Sequence, residues 1–457
     1  MVSKKEKFYY GLGDLSGNIM FGAVSFYLLY FMINVGGLSP YLAGIVFLIA
    51  RGWDAITDYF MGVISDNTKS KYGKRRIYML FGAIPFGLSF IFLWLSPETN
   101  EQSLKFIYYL IVYIIYNTTW TIVYIPYNAL TANMTNDYDE RTSINTVRII
   151  MANIGLLLGA AVFALLADGT ESVFYKLFGS LKKAYALSGI IFGVIAALIM
   201  LVCAIGTKER FTNDEGNKVG LIKTLKQFFK LKEFRNTILY YLLSMIGFDV
   251  IMAIFIFFVN DALGFAGGDE SMLFVALPLV TAIGSAVLWD KLSAKYEKHR
   301  VYTVAALYIS LCLLLCLFIP PQNYFALALV CILVGIGMSA IQILPYASVP
   351  DIVEVDEYHY GVRREGAYYG IVSLMYKTAS GLTVGGVSIV LGAFGYVEGA
   401  VSQSEEVLQV IRIMMGIIPG VFFLISIIFA YRANMGRDNF NKIKNELIIR
   451  KEKSKTL

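Results

Sequence analysis

Two carboxylates and a guanidinium, Asp54, Asp58 and Arg51, stand inside an apolar run from Tyr41 to Ile64. Spacings of three and four residues put all three on one face of a helix, about a turn apart. Ionisable groups inside a membrane-length apolar segment are expensive, and they pair, line a cavity or bind an ion. At about 6 Å and an effective dielectric near 20, Asp54 and Asp58 would repel each other by about 3 kcal/mol. A proton or a sodium ion removes that repulsion, and carboxylate oxygens suit a hard cation. The chemistry fits a coupling-ion site; the alternative is a paired structural network between helices.

The elements that position this stretch are membrane helices. The chain has 457 residues, of which 57% are hydrophobic and 16% charged, and its mean hydropathy is +0.63. A soluble chain of this length would carry more charge. The apolar residues fall in blocks of about 20 or more, the length of a bilayer-spanning helix. The fold class is therefore an all-α polytopic membrane protein. Twelve spans are expected, at 9–34, 40–64, 77–96, 105–132, 145–167, 184–206, 236–261, 271–290, 301–319, 323–349, 366–394 and 408–431. Met1 to Lys7 is short and basic, so no cleavable signal is expected. The cysteines Cys203, Cys312, Cys316 and Cys331 all lie in apolar segments and read as small embedded hydrophobes.

The net charge of +6 collects in loops and tail, which excludes nucleic acid as a natural partner. Lysine and arginine crowd the N-terminus, the tail and the loops after spans 2, 6 and 8. They are missing after spans 1, 7, 9 and 11. This alternation places both termini in the cytoplasm of a bacterial-type plasma membrane. Residues 1–207 are expected to form one six-helix bundle and 236–432 another. A cytoplasmic loop at 208–235 joins them, and a basic tail covers 433–457. Leu221 to Phe234 is either an interfacial amphipathic helix or a linker with a fraying helix.

The halves repeat. Residues 61–78 align with 285–302 at an offset of 224, pairing Asp66 with Asp290, Lys74 with Lys298 and Arg76 with Arg300. Ile125-Pro126-Tyr127 is echoed by Leu344-Pro345-Tyr346, each in the fourth span of its half. Such repeats mark two-bundle transporters that bind substrate near the membrane midplane.

Four stretches carry a closer resemblance. They are Tyr10-Gly-Leu-Gly-Asp14-Leu-Ser-Gly-Asn18, Arg51-Gly-Trp-Asp54-Ala-Ile-Thr57-Asp58, Asn136-Asp137-Tyr-Asp-Glu140-Arg141-Thr142 with Arg148, and Arg363-Arg364-Glu365-Gly366 leading to Lys377. Together with the glycine–Asp66–Gly73-Lys-Arg-Arg loop, the chain resembles the glycoside–pentoside–hexuronide:cation symporters of the major facilitator superfamily. The resemblance implies import of a sugar or glycoside together with Na+, H+ or Li+. It implies a cation site at Asp54 and Asp58, completed by Thr121, with Thr57 beside them where galactoside carriers have asparagine. The two positions where galactoside carriers have aspartates hold Asn18 and Tyr124, so a different sugar is expected.

The remaining candidates follow from residue chemistry. Asp14, Asn18, Trp120, Tyr124, Tyr127 and Asn128 offer hydrogen bonds and flat apolar faces suited to a sugar, or they bond helix to helix. Arg148 fits a span-2 aspartate or a substrate group. Lys377, deep in span 11, needs a carboxylate, for which Asp54 or Asp58 is the expected partner. Arg51, Asp66, Arg75, Arg76, Asp137, Glu140, Arg141, Asp290, Arg300, Arg363, Arg364 and Glu365 form a candidate charge network that latches the bundles. The alternative is a set of solvated loops. No enzyme chemistry, cofactor or metal beyond Na+ is expected, and a monomer is the expected working unit. An exporter or a lipid carrier on the same fold is the rival function.

Overall fold

The computed structural model describes residues 2–135, 138–210, 228–360, 365–400, 402–433 and Glu446. Among them the secondary structure is helical, with an isolated bridge between Gly169 and Gly267. Helices are the expected solution, because in lipid each backbone N–H and C=O must be satisfied within its own segment. Among the described residues, ten helices are long and apolar enough to cross a membrane. The helical segments 4–35 and 40–67 supply the two remaining expected spans; they carry Asp14 and the Arg51–Asp58 group. Wider π turns interrupt spans at Val24–Leu28 and Leu158–Val162 and end one at Phe258–Ala262.

Three connections differ from expectation. A short helix, Val173–Phe178, sits in the loop after span 5. The tenth span stops at Tyr346, and a separate helix, Val349–Tyr360, follows it. The twelfth is two helices, Glu405–Gly416 and Ile418–Arg432. Pro419 explains that break, since it lacks the N–H that would continue the ladder.

The chain forms two compact units. The first comprises Met1–Gly216, Met252–Ala276 and Val384–Ile411; the second comprises Asn217–Ile251, Leu277–Thr383 and Arg412–Leu457. In the first, Phe31, Trp94, Phe163 and Tyr185 pack ring on ring, with Trp94 and Phe163 centroids 4.5 Å apart. In the second, Phe228 stacks on Tyr368 at 3.7 Å, and Phe234 meets the same ring edge-on. Phe228, Leu231 and Phe234 are thus core residues of this unit rather than an interfacial face. Tyr368 and the span-7 side chains Ile238, Tyr241 and Leu242 belong to the same buried cluster. Leu221 and Leu225 lie outside the described residues. All four cysteines are free and buried.

Candidate cation and substrate site

Span 2 (Pro40–Asn67) lies beside span 4 (Gln102–Met134) in the first unit. Thr121 on span 4 reaches both acids of span 2. Its Oγ1 is 3.0 Å from Asp54 Oδ1 and 2.7 Å from Asp58 Oδ1. A hydroxyl has one hydrogen, which the two carboxylates share or compete for. The oxygens of Asp54, Asp58 and Thr121 therefore converge on one point. Thr121 and Asp54 are buried, and Asp58 is half-buried. The donor set is all oxygen, which fits a proton or a hard monovalent cation. Arg51 approaches Asp54 only at 4.0 Å. Thr57 turns back on its own helix, its hydroxyl donating to the carbonyls of Trp53 and Asp54 at 3.2 and 3.1 Å.

A second polar centre joins spans 1, 4 and 5. Asp14 Oδ2 accepts Arg148 Nε at 2.5 Å and the Tyr127 hydroxyl at 2.9 Å. Arg148 Nη2 also donates to Asn128 Oδ1 at 2.6 Å. The guanidinium lies 5.1 Å from the Tyr127 ring centre and 5.5 Å from that of Tyr10, within cation–π range. Asp14 is buried, while Asn128 is exposed and Arg148 half-buried. This centre therefore presents an amide and a guanidinium edge on a fixed base.

The other expected substrate residues are engaged in packing. Asn18 Nδ2 donates to the Asp14 carbonyl at 2.8 Å. The Tyr124 hydroxyl donates to the Gly13 carbonyl at 2.6 Å, and its ring stacks on Trp120 at 4.3 Å. Gly17 makes this possible: a Cβ there would sit 1.6 Å from the Tyr124 hydroxyl. Lys377 belongs to the second unit, as do Asp249 and Tyr376, which bond at 3.2 Å.

The loop after span 2 is held by charge. Arg75 pairs with Asp66 at 2.6 Å and donates Nε to Asn133 at 2.8 Å. Arg76 donates Nε to the Ala204 carbonyl at 2.9 Å, near the C-terminal end of span 6. Sequence reasoning missed the acids that complete the set. Glu209 accepts the backbone N–H groups of Lys74, Arg75 and Arg76, each at 2.8 Å. It caps the start of span 3 (Arg76–Leu93), where unpaired N–H groups and the helix dipole favour an anion. Glu6 pairs with Arg210 at 2.6 Å and accepts the Lys208 N–H at 3.1 Å. The available signal was the placement of Glu209 and Arg210 among lysines, directly after span 6. Glu140 accepts the Thr135 hydroxyl at 2.7 Å and the Val2 N–H at 2.9 Å.

The repeat in the second half is bonded differently. Arg300 pairs with Glu297 at 3.0 Å, and His299 lies 3.3 Å from the same carboxylate. Asp290 is exposed and has no ion pair among the described residues. Asp137, Arg363 and Arg364, and the side chains of Arg141 and Glu365, lie outside the described residues.

The family match and the symporter relatives make this chain a major facilitator transporter, not an enzyme. The solved D-xylose–proton symporter has the same fold: TM-score 0.65 at 16% identity, covering 94% of this chain and 98% of that one. The chain belongs to the MFS/sugar transport protein family, whose model matches residues 9–437. It is 29% identical to the uncharacterized symporter YnaJ of Bacillus subtilis, over 98% of this chain and 95% of that protein. It is 25% identical to an Escherichia coli protein named provisionally as a sulfoquinovose importer, over 99% and 97%. It is 22% identical to the sodium-dependent lysophosphatidylcholine symporter 1-A of Danio rerio, over 98% and 89%.

Proposed function

We propose that this chain is a secondary active symporter that imports a sugar or glycoside with Na+ or H+ by alternating access. The observation that carries this reading is the single Thr121 hydroxyl held against two carboxylates. Asp54, Asp58 and Thr121 bind the cation. Asp14, Tyr127, Asn128 and Arg148 form the polar base against which substrate hydroxyls bond. Binding of the ion removes the repulsion between Asp54 and Asp58. It can therefore favour one helix arrangement over another, which is the thermodynamic content of coupling. Glycoside uptake into proteoliposomes, under separate sodium and proton gradients, tests the reading. Asp58→Cys should abolish gradient-driven accumulation. Accumulation that survives intact would remove Asp58 from the cation site. Absence of uptake with any glycoside under either gradient would sink sugar symport and favour a lipid cargo.

A further inference from the structure

Side chains on successive turns join span 2 to span 4. Asn117 Nδ2 donates to the Ala50 carbonyl at 3.4 Å, Trp53 Nε1 donates to Thr118 Oγ1 at 2.9 Å, and Thr121 meets Asp54 and Asp58 at 3.0 and 2.7 Å. The Ala50–Asn117 and Asp54–Thr121 pairs share an offset of 67 residues, so the two helices run the same way in one register. The Trp53–Thr118 bond stands beside the acids. Trp53 immediately precedes Asp54, and Thr118 lies about one turn before Thr121.

The chemistry of this bond permits one direction. An indole N–H only donates. The Thr118 hydroxyl gives its own hydrogen to the Ile114 carbonyl at 2.8 Å, which leaves its lone pairs for the indole. Trp53 is 43% exposed, so packing covers little more than half of it, and the bond to Thr118 fixes where the indole sits.

The acids and Thr121 are sensitive to register. An α-helix rises about 1.5 Å per residue, and a hydrogen bond is lost beyond about 3.5 Å. A slip of span 2 along span 4 by one residue's rise would carry the Thr121 hydroxyl out of reach of at least one carboxylate. The Asn117 contact, at 3.4 Å, is long for an amide donor and resists such a slip weakly. The Trp53 contact has the length of a full hydrogen bond.

We propose that Trp53 and Thr118 are positioning residues for the cation site: their bond holds spans 2 and 4 at the register where one Thr121 hydroxyl meets both Asp54 and Asp58. Neither side chain needs to touch the ion. An ion entering a site already in register spends none of its binding energy on aligning the helices, so the bond raises affinity by preorganisation. The inference rests on the reading of Asp54, Asp58 and Thr121 as the cation site and adds the pair that sets its geometry.

The test melts the purified full-length protein in detergent. One series raises NaCl at alkaline pH, and another lowers pH without Na+, with choline chloride holding the ionic strength. Asp58→Asn supplies the blank for general salt and pH effects. A bound ion raises the melting temperature with the logarithm of its concentration over Kd. Weaker binding therefore displaces the curve to higher ion concentration, whereas lost packing lowers every melting temperature without displacing it. Trp53→Phe removes the N–H and keeps a ring, and Thr118→Val removes the acceptor. Each should displace the curve of the ion that stabilises the parent by about two- to tenfold in concentration, the worth of one hydrogen bond. The double variant should be displaced no further than either single one, because both changes remove the same bond. Thr118→Ser keeps the hydroxyl and should restore the parent curve. Undisplaced curves in Trp53→Phe and Thr118→Val, or additive displacement in the double variant, would overturn the proposal and leave the cation site standing. A parent that neither Na+ nor protons stabilise beyond the Asp58→Asn blank removes the cation site, and this proposal with it.

Discussion

Arg148 holds Asp14 through Nε and Asn128 through Nη2, so one guanidinium ties span 5 to spans 1 and 4. Lysine presents a point charge and cannot hold both partners in one plane. Hydrogen bonds to charged groups contribute about 1.5–3 kcal/mol each. Arg148→Lys is therefore expected to weaken apparent sugar affinity by about ten- to a hundredfold. Counterflow measures this, with the parent's own substrate and with expression checked by folded yield.

Thr121 lies within hydrogen-bond distance of both Asp54 and Asp58. Thr121→Ala should weaken cation binding by about tenfold, while Thr121→Ser keeps the hydroxyl and most of the affinity. The rise in melting temperature on adding Na+, or on lowering pH, reports it. Identical titrations for Thr121→Ala and the parent would take Thr121 out of the site.

Glu209 receives three backbone N–H groups at the start of span 3. Glu209→Gln keeps one acceptor oxygen and loses the charge. A loss of about 1–2 kcal/mol is expected from capping and dipole effects together. Urea or thermal unfolding should show it, and added salt should shrink the difference.

The Thr135 hydroxyl, and after it the Val2 N–H, hold the Glu140 carboxyl below the ordinary glutamate range. A lowered folded-state value means stabilisation that is present above the unfolded value and disappears as pH falls through the folded one. Thr135→Val removes the larger cause. The melting difference between parent and variant should therefore be present at neutral pH and vanish in acid.

Much of the fold was legible because lipid permits so few backbone solutions. Blocks of apolar residues gave the helices, and Asp54 and Asp58 stood out by their cost in such a block. Thr121 came from the resemblance and stands within bonding distance of both acids. What escaped was set by partners distant in sequence. The commitment of Tyr124 to the Gly13 carbonyl depends on the absence of a side chain at Gly17. The burial of Phe228 depends on Tyr368. Glu209 is a single acid near a span end, and no local period distinguishes it from solvated loop residues. Thr57 sits one residue before Asp58, yet its hydroxyl bonds back along its own helix.

Asp66 and Asp290 share a place in the repeat but not a bond. The first is locked by Arg75, and the second stands exposed where His299 has replaced that arginine. Among the described residues Asp290 has no ion pair. A neutral residue at position 290 should therefore be tolerated where the same change at position 66 is not.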